Sequence, residues 1–151
     1  MTIHLCITDV PNYIHPITLE AAIEVASNLR PDDRREGEEG HGVDPFTTIV
    51  SKAQEGSCVY LEVPNGRTAG MAGVDDDGQI WMLTTDAIYD YPITFARESK
   101  RFVEKQPHKV LWNIIDKRNK VHLKLLKFLG FKFSEEILHG PNNLPFIKFY
   151  K

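Results

Sequence analysis

The chain has 151 residues, of which 42% are hydrophobic and 26% charged, and its net charge is −3. This length suits one domain, and the composition excludes disordered, collagen-like and coiled-coil proteins. No apolar run reaches the roughly 18 residues of a membrane-spanning helix, and the start of the chain lacks the pattern of a signal peptide. We therefore expect an intracellular protein with reduced thiols at Cys6 and Cys58 and, since no Cys/His cluster has ligand spacing, no metal.

The charges are unevenly distributed along the chain. Residues 1–96 include 5 basic and 16 acidic residues, whereas residues 97–151 include 13 basic and 5 acidic residues. A basic C-terminal third is suited to the phosphates of a cofactor or of nucleic acid. The alternative is a solvated surface that pairs with the acidic part of the chain.

The first third predicts one strand and two helices. The predicted elements are a strand over 2–8, a turn over 11–16, a helix between Thr18 and Pro31, and a helix over 45–54. Residues 32–45 between the helices are polar and glycine-rich, which favours a mobile loop, although a short helix also fits.

The remainder predicts an antiparallel meander followed by alternating strands and helices. Its predicted strands are 58–63, 67–74, 79–84, 110–115, 131–137 and 145–150, and its helices are 92–105 and 119–129. The order β-α-α-β-β-β-α-β-α-β-β predicts a single α/β domain over residues 1–151. Its sheet is mixed but mostly antiparallel, with helices on both faces.

This element order resembles the GNAT fold of acyl-CoA-dependent N-acetyltransferases. The local resemblance lies in Asn119, the helix that follows it, and the Leu-Gly-Phe run at 129–131 that opens a strand. The resemblance implies acetyl-CoA as cofactor, with its pantetheine arm in a gap between splayed strands at 79–84 and 110–115. The cofactor-binding residues that it implies are Met82, Leu83, Thr84 and Asn119.

A narrower group of segments is similar to the GNAT-like internal virion (core) proteins of short-tailed bacteriophages. These segments are 29–33, 42–45, 78–83, 95–104 and 113–133. The resemblance implies a protein of the phage virion or the host cytoplasm that acts in assembly or after ejection. Its partners would be other virion proteins, and its acetyltransferase activity would be altered or lost.

Two positions depart from the acetyltransferase pattern. The connection over 85–92, where a glycine-rich loop normally holds the CoA pyrophosphate, has no glycine and carries Asp86 and Asp90, which predicts repulsion of phosphate. The position of the family's tyrosine acid, seven residues after Asn119, holds Leu126.

The candidate catalytic groups are two carboxylates and one histidine. Asp86 and Asp116 follow the two splayed strands and are candidate bases, but a turn or cap role also fits them. His122 is a candidate acid that titrates near neutrality, with a surface or capping role as the alternative. Asn119 also suits a helix N-cap. Tyr89, Tyr91 and Tyr150 are substitute acids without positional support.

Three functions follow from these observations. The first is a phage GNAT-like protein related to internal virion proteins. The second is an active acetyl-CoA-dependent N-acetyltransferase acting on a small amine or a protein lysine. The third is a nucleic-acid or protein-binding module that uses the basic C-terminal face, where residues 117, 118, 120, 124 and 127 are cationic. None of the three predicts contact with a membrane.

Overall fold

A computed structural model describes residues 12–151. The strands are β1 (Ile14–Pro16), β2 (Val59–Glu62), β3 (Thr68–Val74), β4 (Ile80–Thr84), β5 (Trp112–Asp116), β6 (Lys132–His139) and β7 (Leu144–Tyr150). The α-helices are α1 (Leu19–Ser27), α2 (Pro31–Arg35), α3 (Pro45–Glu55), α4 (Pro92–Glu104) and α5 (Lys120–Phe128). A π-helix over Glu36–His41 continues α2, and a 3-10 helix over Asp86–Tyr89 precedes α4.

The strands form two antiparallel sheets that meet at one point. The first has the order β1-β2-β3-β4 and the second the order β5-β7-β6. They join where β4 and β5 begin, through a parallel bridge between Gln79 and Trp112 and a 3.0 Å hydrogen bond from the Trp112 N–H to the Gly78 carbonyl. Beyond this bridge β4 and β5 are not paired, so a gap opens between them. The predicted class, mixed α/β with a mostly antiparallel sheet, is confirmed.

Helices cover both faces of this sheet because each has one apolar side. The larger core cluster includes Phe95, Phe102 and Val103 of α4, and Leu123 and Leu125 of α5 pack against it. The smaller cluster, on α1 and α3, contains the buried residues Ala22, Val25, Ile49, Cys58 and Met71. No helix within residues 12–151 has the length and apolarity needed to cross a membrane.

Local signals in the sequence explain where α1 and α3 begin and end. The Thr18 hydroxyl oxygen accepts a 3.1 Å bond from the Ala21 N–H at the start of α1. Asp44 is the N-cap of α3: its carboxylate accepts a 3.3 Å bond from the Thr47 N–H, and Pro45 occupies the first turn. Gly56 ends α3 in the left-handed conformation, with φ 75°.

The structure corrects three predicted elements. Residues 32–45 were expected to form a mobile loop, but most of them form α2 and the π-helix, which pack against distant parts of the chain. The predicted turn over 11–16 contains the edge strand β1, where a proline is tolerated because one side is unpaired. The fifth strand begins at Trp112, and Val110 is half exposed. The predicted strand over 2–8 and Cys6 lie outside the described residues.

Candidate functional site

A cavity of about 310 Å³ occupies the gap between β4 and β5. Its α4 and α5 side is apolar, and the side chains that form this wall are Phe102, Val103, Leu126, Leu129 and Phe131. On the opposite side of the sheet it reaches Thr48 and Lys52 of α3 and the nearby Asp75. Lys52 lies 3.6 Å from the Asp75 carboxylate, so this end of the cavity is polar. We call this space the β4–β5 cavity.

Among residues 12–151, the edge of β4 that faces the cavity has one peptide position without a partner. Side chains and loops bind this edge at both ends: the Asn113 Nδ2 donates to the Ile80 carbonyl at 2.7 Å, and the Arg30 N–H donates to the Thr84 carbonyl at 3.0 Å. Peptide groups on one edge of an antiparallel strand alternate with a period of two. The N–H and C=O of Met82, between them, therefore face the cavity, and a ligand could bind them as an added strand would.

A buried polar cluster closes the far end of the gap. Asp33, on α2, accepts four hydrogen bonds there: from the Thr84 N–H at 2.8 Å, the Thr84 hydroxyl at 2.6 Å, Arg30 Nη1 at 3.1 Å and Asn119 Nδ2 at 2.9 Å. His122 Nε2 lies 2.9 Å from the same Thr84 hydroxyl. All five residues are less than 10% exposed. We call them the Asp33 cluster.

The structure revises the alternative roles of Asn119 and His122. Asn119 is at the N-cap position of α5, but its side chain makes no capping bond; it donates to Asp33 and, at 3.3 Å, to Glu36. Its Oδ1 is buried without a hydrogen-bond partner in the described part of the chain, which leaves an acceptor for an N–H donor. His122 lines the β4–β5 cavity and is buried, so the expected surface role is wrong.

Asp116 lies at the gap but is held in an ion pair. Its carboxylate accepts bonds from Arg118 Nη2 at 2.8 Å and Nε at 3.1 Å, and its own peptide N–H donates to Glu36 at 3.1 Å. Burial by itself raises the pKa of the Asp116 carboxyl, but the hydrogen bonds from Arg118 outweigh it and the net pKa is lowered. A lowered pKa makes this group a poor proton acceptor.

Asp86 lies away from the cavity. It and Asp90 both pair with Arg67 of the β2–β3 turn, the Asp90 contact being 3.0 Å, and the Asp86 hydrogen bond raises the pKa of the Arg67 guanidinium. One positive charge offsets one of their two negative charges, so the predicted repulsion of phosphate is weaker than the sequence indicates but is not removed. The candidate tyrosines Tyr89 and Tyr150 are largely exposed and do not line the cavity.

Three backbone N–H groups of the 3-10 helix and its C-terminal end are used internally. The N–H of Ala87 donates to the Thr85 hydroxyl, that of Ile88 to the Thr85 carbonyl, and that of Asp90 to the Ala87 carbonyl. Backbone N–H groups that are used internally cannot hold a pyrophosphate. Within residues 12–151, the chain thus fits a pantetheine arm along β4, whereas the N–H groups of Ala87, Ile88 and Asp90 are not free to form a backbone cradle for the phosphates that follow it.

The segment that was expected to be a loop also contributes residues to the cavity. Glu36 and His41 of the π-helix both line the cavity, with His41 Nε2 3.8 Å from the Glu36 carboxylate. His41 Nδ1 lies 3.0 Å from His139 Nε2 at the end of β6. These contacts span almost the whole chain, and no local pattern in the sequence points to them.

The His41–His139 pair predicts loss of stability in acid. Burial lowers the pKa of His139, and the neighbouring His41 lowers it further. The unfolded chain, with a histidine pKa of about 6.5, then binds more protons than the native protein below that pH. We expect the thermal midpoint to fall between about pH 7 and about pH 5. In His139→Gln this fall of the midpoint should shrink. In His41→Gln it should shrink less, because His139 remains buried. Differential scanning fluorimetry at several pH values measures the thermal midpoint. If the midpoint of His139→Gln falls with pH as steeply as that of the wild type, the loss of stability does not come from His139.

Comparison with known proteins identifies the architecture. No protein-family model and no curated protein matches the chain. Among solved structures, a GNAT-family acetyltransferase from Bacillus cereus ATCC 10987 has a TM-score of 0.66 at 13% identity, covering 91% of this chain and 94% of that one. A GCN5-related N-acetyltransferase from Kribbella flavida has a TM-score of 0.63 at 12% identity, with 91% and 95% covered.

A third similar structure contains CoA. Spermidine N-acetyltransferase from Vibrio cholerae, in complex with CoA and spermine, has a TM-score of 0.65 at 8% identity, covering 91% of this chain and 93% of that one. Within residues 12–151, no group of three or more His, Cys, Asp and Glu side chains could hold a metal ion. At these identities the likeness concerns the fold, and the chain therefore has the fold of the GNAT-family acetyltransferases.

Proposed function

We propose that this protein is an acyl-CoA-dependent N-acyltransferase that acts on a small amine or a protein lysine. The observation that carries the proposal is the open edge of β4 at Met82, which faces the β4–β5 cavity. A splayed sheet costs backbone pairing along two strands, and a ligand with amide groups would restore it. The fold and the complex of spermidine N-acetyltransferase with CoA support the same class of ligand.

The residues of the cavity support a different side for each of the two substrates. The peptide groups of Met82 would bind the amides of the pantetheine arm, and the apolar wall that includes Leu126 and Phe102 would surround the thiol end. The bound acyl-CoA supplies the activated thioester. The amine would enter from the α3 side, where Glu36, His41 and Asp75 provide polar and acidic groups. Lys52 offsets the charge of Asp75, so the preference for a cationic amine over an anionic one rests on the Glu36 carboxylate.

The missing pyrophosphate cradle limits what the adenine-nucleotide half of CoA contributes. Phosphates would have to be bound by side chains, and the basic residues of α4, such as Arg97 and Lys100, are exposed. Most of the binding free energy would then come from the acyl-pantetheine arm. A basic surface that binds nucleotides would show the opposite pattern, because its binding free energy would come from the phosphates.

The experiment is a thermal shift with acetyl-CoA, with CoA and ATP as comparisons. Occupancy at 100 times the dissociation constant stabilises by about 2.7 kcal/mol, which raises the midpoint by roughly 5–11 °C at this size. We expect acetyl-CoA and CoA to raise the midpoint and ATP to leave it unchanged. Leu126→Trp should abolish the shift because the indole fills the cavity. Val121→Trp, at an exposed position of the same helix, should keep it. A shift that survives Leu126→Trp would contradict binding in the cavity.

The role in a phage particle remains a prediction from the sequence resemblance. It is compatible with the same fold and needs no small ligand, so the absence of any shift with acetyl-CoA would favour it. Co-sedimentation with purified phage particles or with their internal proteins tests it directly. For the nucleic-acid alternative, two of the five cations counted on the C-terminal face are already paired: Lys117 with Glu136, and Arg118 with Asp116 and Glu39.

A further inference from the structure

The hydrogen bonds of the Asp33 cluster fix which nitrogen of His122 carries hydrogen. Arg30, Asn119 and the Thr84 peptide all donate to Asp33, so its carboxylate acts only as an acceptor. The 2.6 Å contact between the Thr84 hydroxyl and Asp33 Oδ2 must then use the hydroxyl proton. Having donated its one proton, the Thr84 oxygen can only accept from His122 Nε2. Nε2 therefore carries the hydrogen.

This leaves Nδ1 as the nitrogen of His122 that can exchange a proton. In the described part of the chain the ring makes its hydrogen bond through Nε2, and the side chain lines the β4–β5 cavity. Asp33 Oδ2 lies 3.6 Å from Nε2, so a carboxylate stands beside the ring. The other charged groups nearby are Arg30 and Glu36. His122 also lies one helical turn before Leu126, so both side chains are on the same face of α5.

We propose that Nδ1 of His122 carries the proton of the acyl-transfer step, an inference that rests on the proposed function. The amine nitrogen attacks the thioester carbonyl carbon with its lone pair, a C–N bond forms, and the C–S bond breaks with its electron pair on sulfur. Nδ1 accepts the proton that the nitrogen loses and passes it to the thiolate. The products are an amide and a free thiol, and His122 ends neutral. Asp33 and Thr84 are positioning residues that orient the ring.

The kinetic test compares His122→Gln with the wild type and with His15→Gln, a histidine of the edge strand β1. Acetyl-CoA binding is measured by calorimetry, and acetyl transfer is measured with spermidine and with a lysine peptide. We expect His122→Gln to bind acetyl-CoA within about threefold of the wild type but to transfer about 100-fold more slowly or worse. The acidic limb of its pH–rate profile should also disappear. His15→Gln should behave as the wild type.

A second measurement, nitrogen-15 NMR of the histidine rings, tests the tautomer without any substrate. We expect an Nε2–H ring at His122 in the wild type and loss of that preference in Thr84→Val, with a smaller fall in transfer rate. An Nδ1–H ring, or unchanged transfer in His122→Gln, would overturn the inference and leave the proposed function intact. A wild type that binds no acetyl-CoA, or binds it and acetylates neither amine, would overturn both.

Discussion

Replacement of Asp33 by alanine should cost about 3–5 kcal/mol of folding free energy, because it leaves a buried guanidinium with only the partly exposed Asp32 carboxylate as its ionic partner. Arg30 is 1% exposed, and its Nη1 lies 3.1 Å from Asp33 Oδ1. The same change removes the acceptor of the Thr84 N–H and of Asn119 Nδ2, and each buried donor left unpaired adds to the cost. Urea denaturation, fitted with one m-value for the wild type and the variants, measures the loss of folding free energy.

Asp32→Ala is the matched control. Asp32 also contacts Arg30, at 3.3 Å, and belongs to the same helix, but its side chain is 35% exposed. Solvent screens the Asp32 carboxylate, so its pair with Arg30 should contribute less than the pair of Asp33, about 1 kcal/mol. If Asp33→Ala leaves too little folded protein to measure, Asp33→Asn keeps the shape and one acceptor oxygen and should show an intermediate loss. Equal losses in Asp32→Ala and Asp33→Ala would contradict a special role for the buried carboxylate.

The sequence predicts those parts of the fold that depend on local signals. The caps at Thr18 and Asp44, the glycine after α3, and the alternation of the meander strands each act within a few residues. The splayed pair of strands followed from the resemblance, and the observed gap lies between the same strands. The position of the apolar wall follows from the period of α5, which places Leu126 and Leu129 on the side of the gap.

The polar half of the site could not be predicted because its contacts are distant in sequence. Asp33 and Asn119 are separated by 86 residues, and His41 and His139 by 98. Residues 32–45 are polar and contain three glycines, at 37, 40 and 42, a composition that is typical of loops. Their helical structure depends on tertiary contacts, in particular with the turn between β6 and β7, and propensity does not encode those contacts.

Replacement of Gly140 by alanine should show how strongly that turn determines the cavity. Gly140 has φ 78°, and an added Cβ would lie 1.8 Å from the carbonyl oxygen of Gly40 in the π-helix. Gly66 has φ 85° but no atom within 4 Å of the same position, so Gly66→Ala isolates the backbone strain. We expect about 1–2 kcal/mol of destabilisation for Gly66→Ala, from the left-handed conformation alone. Gly140→Ala should cost that amount and about 1–3 kcal/mol more, because the added methyl group forces the β6–β7 turn away from the π-helix.

The separation should also weaken ligand binding, because the π-helix supplies Glu36 and His41 to the cavity. The Asn142 side chain donates to the Glu39 carbonyl at 2.9 Å, so a shift of the turn moves the π-helix with it. Calorimetry with acetyl-CoA, at a temperature where both variants are folded, should show weaker binding for Gly140→Ala and unchanged binding for Gly66→Ala. If the two variants lose equal stability, Gly140 and Gly40 do not approach closely in solution. If they bind acetyl-CoA equally well, the π-helix does not shape the cavity, and the acceptor side must be sought on α3, around Thr48 and Lys52.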